Sequence, residues 1–193
     1  MKTNKKVSGG IVCVLFFAVM CFFCLPGKSS AVEPVIRDII ISNNTENVLL
    51  YARLADCFKP DMESSILAGV PTVFTLQMDV YQERPYIWDK NISSQTISRT
   101  IKYDNLKKTF SIYTNGNPEP VVLPDFESAQ KAMADFSGIS VIRLKALTKG
   151  NSYYVMMKVK IDKVRLPLKL EYVLFFVSFW DFETVWYRHN FKY

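Results

Sequence analysis

Histidine occurs once in this sequence, as His189, and cysteine four times, three of them (Cys13, Cys21, Cys24) inside one apolar N-terminal stretch. Zinc sites draw several ligands from these two residue types, so one histidine with the remaining Cys57 does not make a usual set. A single cysteine closes no internal disulfide, and the fold beyond the N-terminal stretch has to hold without a staple. Flanked by Asp56 and Phe58, with only Lys59 nearby to lower its pKa, Cys57 reads as a partly buried, inert thiol. Calcium-loop spacing is missing as well: Asp56, Asp61 and Glu63 do not alternate as such a loop requires. Glycine is sparse after the N-terminal stretch (Gly69, Gly116, Gly138, Gly150), and neither a phosphate loop nor a Gly-x-Ser-x-Gly elbow occurs. A hydrolytic triad would have to use His189, which reads as a surface histidine near the terminus; a Cys57–His189 pair is the other nucleophile–base arrangement. Asp181 and Glu183 share a face if residues 180–187 form a strand, although any acidic strand edge gives that spacing. These absences lead to an expectation of no catalytic residue, no metal and no cofactor, with a hydrolase the least favoured class.

What is present starts with an export signal. Lys2, Lys5 and Lys6 precede an uncharged stretch from Val7 to Gly27, whose centre, Ile11 to Leu25, is wholly apolar. Pro26-Gly27 breaks it, and Ser29-Ser30-Ala31 supplies small residues of the kind a signal peptidase reads. Residues 1–31 are therefore expected to be a signal peptide cleaved after Ala31. The alternative is an uncleaved anchor over residues 7–27, since about 20 apolar residues span a bilayer. In both cases the lysines stay cytoplasmic and the rest is translocated, which places the protein in the periplasm, free or held at the inner membrane. Cys21 and Cys24 lack the small preceding residue that a lipidated cysteine takes. Removal of Lys2, Lys5, Lys6 and Lys28 lowers the net charge of +6 by four, to +2 over residues 32–193. The nearest basic cluster, Lys158, Lys160 and Lys163, includes Asp162 and reads as a solvated strand face, so nucleic acid is not an expected partner.

Residues 32–193 read as one β-rich domain. Strands are expected over 35–42 and 48–55, joined by an Asn43-Asn44 turn, and over 73–80, 92–103, 109–113 and 152–162. Phe74, Leu76, Met78 and Val80 alternate with polar residues, as do Tyr153, Val155, Met157, Val159 and Ile161. Two short helices are expected. One runs from Pro60 to Ala68 with Gly69 as its stop; the other is capped by Asp125 and carries Phe126, Ala129, Met133 and Phe136 at helical spacing. The fold class is mainly β, an antiparallel sheet or sandwich with two short helices.

Aromatic residues gather near the C-terminus, where Tyr172, Phe175, Phe176, Phe179, Trp180, Phe182, Trp186 and Tyr187 lie, with Trp88 further upstream. Core filling is their ordinary role; an apolar groove or a membrane-interface surface is the functional one. Arg84 and Trp88-Asp89 follow the 73–80 strand in a loop, read either as a contact site or as an Arg–Asp pair pinning the loop.

Several segments taken together resemble a bacterial family known as domain of unknown function 4390. They are Ala52-Arg53-Leu54-Ala55-Asp56-Cys57-Phe58, Gly69-Val70-Pro71-Thr72-Val73-Phe74, Tyr81 to Asp89, Leu166-Pro167-Leu168 and Trp180 to Trp186. The chain departs from the pattern at Lys169 and at Cys57. The resemblance implies an exported envelope protein without known catalytic residues, often encoded beside a membrane sensor histidine kinase of the nitrogen-regulation type. The expected role is a non-enzymatic binding domain with a membrane-protein partner such as that kinase. A carrier or chaperone for an apolar envelope ligand is the alternative. Candidate binding residues are Arg53, Arg84, Trp88, Asp89, Trp180 and Trp186.

Overall fold

The computed structural model describes residues 33–162 and 182–193, all within one compact unit. The expected leader, Lys163, Leu166-Pro167-Leu168, the run from Tyr172 to Phe179, Trp180 and Asp181 lie outside the described residues.

Among the described residues, ten strands form two antiparallel sheets. The smaller sheet has the order β1 (Val35–Asn43), β2 (Asn47–Ala55), β7 (Ile139–Arg143). The larger follows the order β10 (Tyr187–Lys192), β8 (Ser152–Asp162), β3 (Thr72–Gln82), β4 (Lys90–Asp104), β5 (Thr109–Thr114), β6 (Val121–Leu123). A short β9 (Phe182–Glu183) continues β10 along the same edge of β8. At the break between them the Thr184 N–H donates to the Val159 carbonyl at 2.9 Å, and the Val159 N–H donates to the Thr184 hydroxyl at 3.1 Å. One side chain thus supplies the acceptor that the interrupted strand would otherwise withhold.

Period-two alternation makes the core. Phe74, Leu76, Met78 and Val80 of β3 and Tyr153, Val155, Met157, Val159 and Ile161 of β8 are buried, as the sequence pattern predicts. They join one cluster with Val48, Leu50, Ala52 and Leu54 of β2 and Val141 and Ile142 of β7, which makes the two sheets a sandwich. Each such side chain contributes about 1.5–3 kcal/mol by leaving water. The helices start where expected, but Phe136, read as part of the second, lies past its end and exchanges backbone hydrogen bonds with Ala52 of β2. Helix α1 (Pro60–Leu67) has Pro60 in its first turn, and Gly69 just beyond it adopts φ +88°. Helix α2 (Phe126–Ala134) is capped by the Asp125 carboxylate, which accepts from the Ser128 N–H at 2.8 Å. Strands β6, β7 and β10 are not anticipated by the sequence reading.

An arginine locks α2 to the larger sheet. Arg99 lies in phase with Ile97 and Ile101, hence on the core-facing side of β4. Its guanidinium donates to the Ala132 carbonyl at 2.7 Å and to the Asp135 carbonyl, and its Cζ lies 4.7 Å from the centre of the Phe136 ring. The last carbonyls of a helix lack intrahelical partners, and a cation there also meets the negative end of the helix dipole. Burial lowers the Arg99 pKa from its ordinary value, opposed by the Asp135 charge. Gln95, in the same phase, donates to the Val141 carbonyl and ties β4 to β7.

The turns sort to two ends of the sandwich. The β1–β2 turn, the β3–β4 loop and the β7–β8 connection share one end: Leu144 N–H donates to Glu46 O at 2.8 Å, and Glu83 N–H to Ser152 O at 3.0 Å. The start of β1 pairs with the end of β2, Val35 opposite Ala55, at the other end.

Replacing Arg99 by alanine strands two helix-terminal carbonyls, so Arg99→Ala is expected to cost about 2–4 kcal/mol, the scale of two charge-assisted bonds plus lost packing. Urea unfolding would show it as a lower midpoint at an unchanged slope. Lys102→Ala, exposed on the other face of the same strand, should stay within about 0.5 kcal/mol.

Candidate functional site

The loop between β3 and β4 has the least ordinary surface of the described residues. Tyr86 is 95% exposed, Ile87 61% and Trp88 92%, three successive large apolar side chains in water. Scattered exposed apolar residues are normal on proteins, but a contiguous exposed group marks a contact.

The base of this loop is tightly held. The Asp89 carboxylate accepts from the Arg84 backbone N–H at 3.0 Å and, through its other oxygen, from the Tyr154 hydroxyl at 2.9 Å. These two bonds, in that order of size, hold the Asp89 carboxyl below its ordinary pKa. Tyr154 stacks on Tyr81 at 5.1 Å between ring centres, and Arg188 covers it with its Cζ 3.7 Å from the ring centre while pairing with Glu83. The Tyr154 phenol is raised above its ordinary pKa, first by desolvation and then by its bond to Asp89. The Arg–Asp pinning expected from sequence is made by the Arg84 backbone, not by its guanidinium, whose Nε is enclosed without a hydrogen-bond partner. Proline at 85 keeps the loop from prolonging the ladder. The result is an apolar tip on a fixed base, able to enter another apolar phase with little loss of its own freedom.

The other sequence candidates stand elsewhere. Arg53 lies toward the opposite end, on β2, directly across from Arg37 of β1. Two like charges in register repel, and each is offset by an aspartate: Arg37 by Asp56, just past the end of β2, at 3.3 Å, and Arg53 by Asp38 of β1 at 3.8 Å. Both aspartates hold left-handed backbone, φ 54° at Asp38 and φ 58° at Asp56, a conformation aspartate tolerates better than most residues. Arg53 also walls an open groove of about 770 Å³ with Cys57, Phe58, Lys131 and Asp135. Trp186 is 43% exposed and covers Lys158, whose Nζ lies 4.9 Å from the ring centre and 3.0 Å from the Glu183 carboxylate. The aromatic-core expectation therefore fails for Trp88 and Trp186: a hairpin tip and a broken edge strand offer no interior to fill. Lys158 is likewise not a solvated strand residue, because Trp186 and Glu183 enclose it.

Nucleophile chemistry finds little support at the expected atoms. Cys57 is buried, donates to the Leu54 carbonyl at 3.8 Å, and its thiol is pushed up to about 12, chiefly by burial. It stays protonated at neutral pH, and a thiol is a poor nucleophile. His189 is half-buried on the inner side of β10 opposite Val155, not a surface residue. Among the described residues, no group of three or more His, Cys, Asp or Glu is arranged to hold a metal ion.

A family model described as Domain of unknown function (DUF4390) matches residues 31–190, and the chain belongs to that family. Neither a curated protein nor a solved structure matches it.

The pH dependence of the loop follows from Asp89. Its folded pKa lies below the ordinary carboxylate value of about 3.9, so its hydrogen bonds are intact above that value and are lost as pH falls through the depressed folded one. The Arg84 amide resonance should move toward a free-amide shift with a midpoint below about 3.9. In Asp89→Ala the free-amide position should be found at neutral pH.

Proposed function

We propose that this member of the DUF4390 family is an exported envelope protein that binds rather than catalyses, and that the β3–β4 loop is its contact surface for a component of the membrane. The observation that carries this reading is the exposed Tyr86-Ile87-Trp88 tip on a base fixed by Asp89. Large aromatic side chains with few rotatable bonds make efficient contact residues, because little rotamer entropy is lost when they are buried. The N-terminal sequence supports the location: a basic start, a 21-residue uncharged stretch (7–27) and a small-residue site. A membrane sensor histidine kinase is the protein partner to which the family resemblance points.

The test is capture from detergent-solubilised envelope, with bound proteins and lipids both identified. Trp88→Ala should weaken capture by about tenfold or more, the scale of an anchor side chain, and Arg84→Ala should weaken it less. Capture that is unchanged in both variants would remove the loop from the contact.

A further inference from the structure

We infer that the partner at this loop is an anionic lipid surface, met by the whole end of the sandwich that the β3–β4 loop shares with the β1–β2 turn and the β7–β8 connection. The inference rests on the reading of the loop as a contact surface and adds what that surface touches.

The first observation is the distribution of charge. Residues 32–193 carry a net charge of only +2, yet this end gathers cations. Lys90 follows the loop, Arg143 closes β7, Lys145 and Lys149 lie on the β7–β8 connection, and Lys192 ends β10; all five are exposed. Two contacts draw them to one end. Gly150 N–H donates to the Tyr193 carbonyl, which brings Lys149 and Lys192 together, and Leu144 N–H donates to Glu46, which sets Arg143 and Lys145 beside the β1–β2 turn. Outside the Arg188–Glu83 pair and the Arg84–Asp89 loop closure, Glu46 is the acidic side chain of these segments. With those two pairs counted, seven cations (Arg84, Lys90, Arg143, Lys145, Lys149, Arg188, Lys192) face three acidic side chains (Glu46, Glu83, Asp89) in these segments, far from the near-even balance of the domain as a whole.

The second observation is the tip itself. Tyr86 and Trp88 are the two residue types that settle at the boundary between headgroups and acyl chains, and Ile87 between them is purely apolar. A protein partner would be expected to offer a pocket to such anchors, and its rim would set specific polar contacts. Exposed lysines and an arginine at the same end as an apolar tip suit instead a surface of phosphates, where each contributes about 1 kcal/mol without fixed geometry. Neither term suffices alone, since stable membrane attachment generally takes two signals. Here the apolar wedge and the exposed cations share one end of the fold. The described chain enters β1 at the opposite end, at Val35. A domain released after Ala31 is therefore free to present its basic end to a bilayer.

The experiment is vesicle sedimentation of the protein purified after export of the full chain. Vesicles of phosphatidylglycerol with phosphatidylethanolamine are compared with vesicles of phosphatidylcholine. Binding to the anionic vesicles alone is expected, weakened roughly thirtyfold by Lys145→Gln/Lys149→Gln, at about one tenfold step per 1.4 kcal/mol. Trp88→Ala should weaken it by about tenfold or more. All three positions are exposed, and unchanged far-ultraviolet circular dichroism confirms that the variants fold. Equal binding to both vesicle types, or none to either, overturns the assignment. If the protein ignores vesicles while Trp88 still governs capture of an envelope protein, the lipid surface is wrong and the contact loop stands. If Trp88 matters in neither assay, both readings fall.

Discussion

Strand β3 is paired on both sides along almost its entire length, with β4 from Thr72 to Gln82 and with β8 from Val73 to Gln82. That double ladder is the constraint from which the remaining geometry follows. A strand held on two edges cannot slip by one residue without turning Phe74, Leu76, Met78 and Val80 from core to solvent. Register is thus set by apolar burial, and register in turn decides which residue of β4 faces inward. Arg99 is one of these, and through it the sheet fixes the end of α2; Gln95 is another, and it reaches β7 of the second sheet. The two layers are joined by apolar contact and also by polar side chains that rise from one strand at a spacing of four residues.

The same strand positions the β3–β4 loop. Where β3 ends, Tyr81 lies opposite Tyr154 of β8, and Tyr154 has its hydroxyl on Asp89 beyond the loop. The loop therefore inherits its position from the sheet through one phenol and one carboxylate. Arg188 of the edge strand β10 closes the group by covering Tyr154 and pairing with Glu83. An apolar tip on a slack loop would collapse onto the nearest apolar surface of its own fold. Holding both ends of the loop keeps Tyr86, Ile87 and Trp88 outward, at the cost of leaving them in water. This is the arrangement expected where contact, and not stability, is what the residues serve.

Much of the architecture is legible in the sequence, because its long strands and its helix caps carry strong local signals. The alternation in β3 and β8, Pro60 and Gly69 around α1, and Asp125 ahead of α2 all act where they are read. Strand β6, with three residues, is too short to show a period, and β7, with five, starts directly after Gly138 and offers little more. Arg99 passes as a surface residue by composition, although its phase with Ile97 and Ile101 already places it inward. Trp88 is misjudged for the converse reason: its type suggests a core, while Arg84-Pro85 before it marks a hairpin end. Arg84, Trp88 and Asp89 are brought together as their proximity in sequence suggests. Arg53 and Trp186 are not, because they sit on strands whose pairing carries them to other parts of the fold.

The β3–β4 loop is proposed as the place where this protein meets its partner. The most direct measurement is photo-crosslinking in living cells, with a benzophenone side chain placed at Tyr86 and, as a control, at Tyr113, an exposed aromatic position on β5. An adduct with a membrane component is expected from position 86 and none from position 113. An adduct from position 113 with position 86 silent would contradict the proposal.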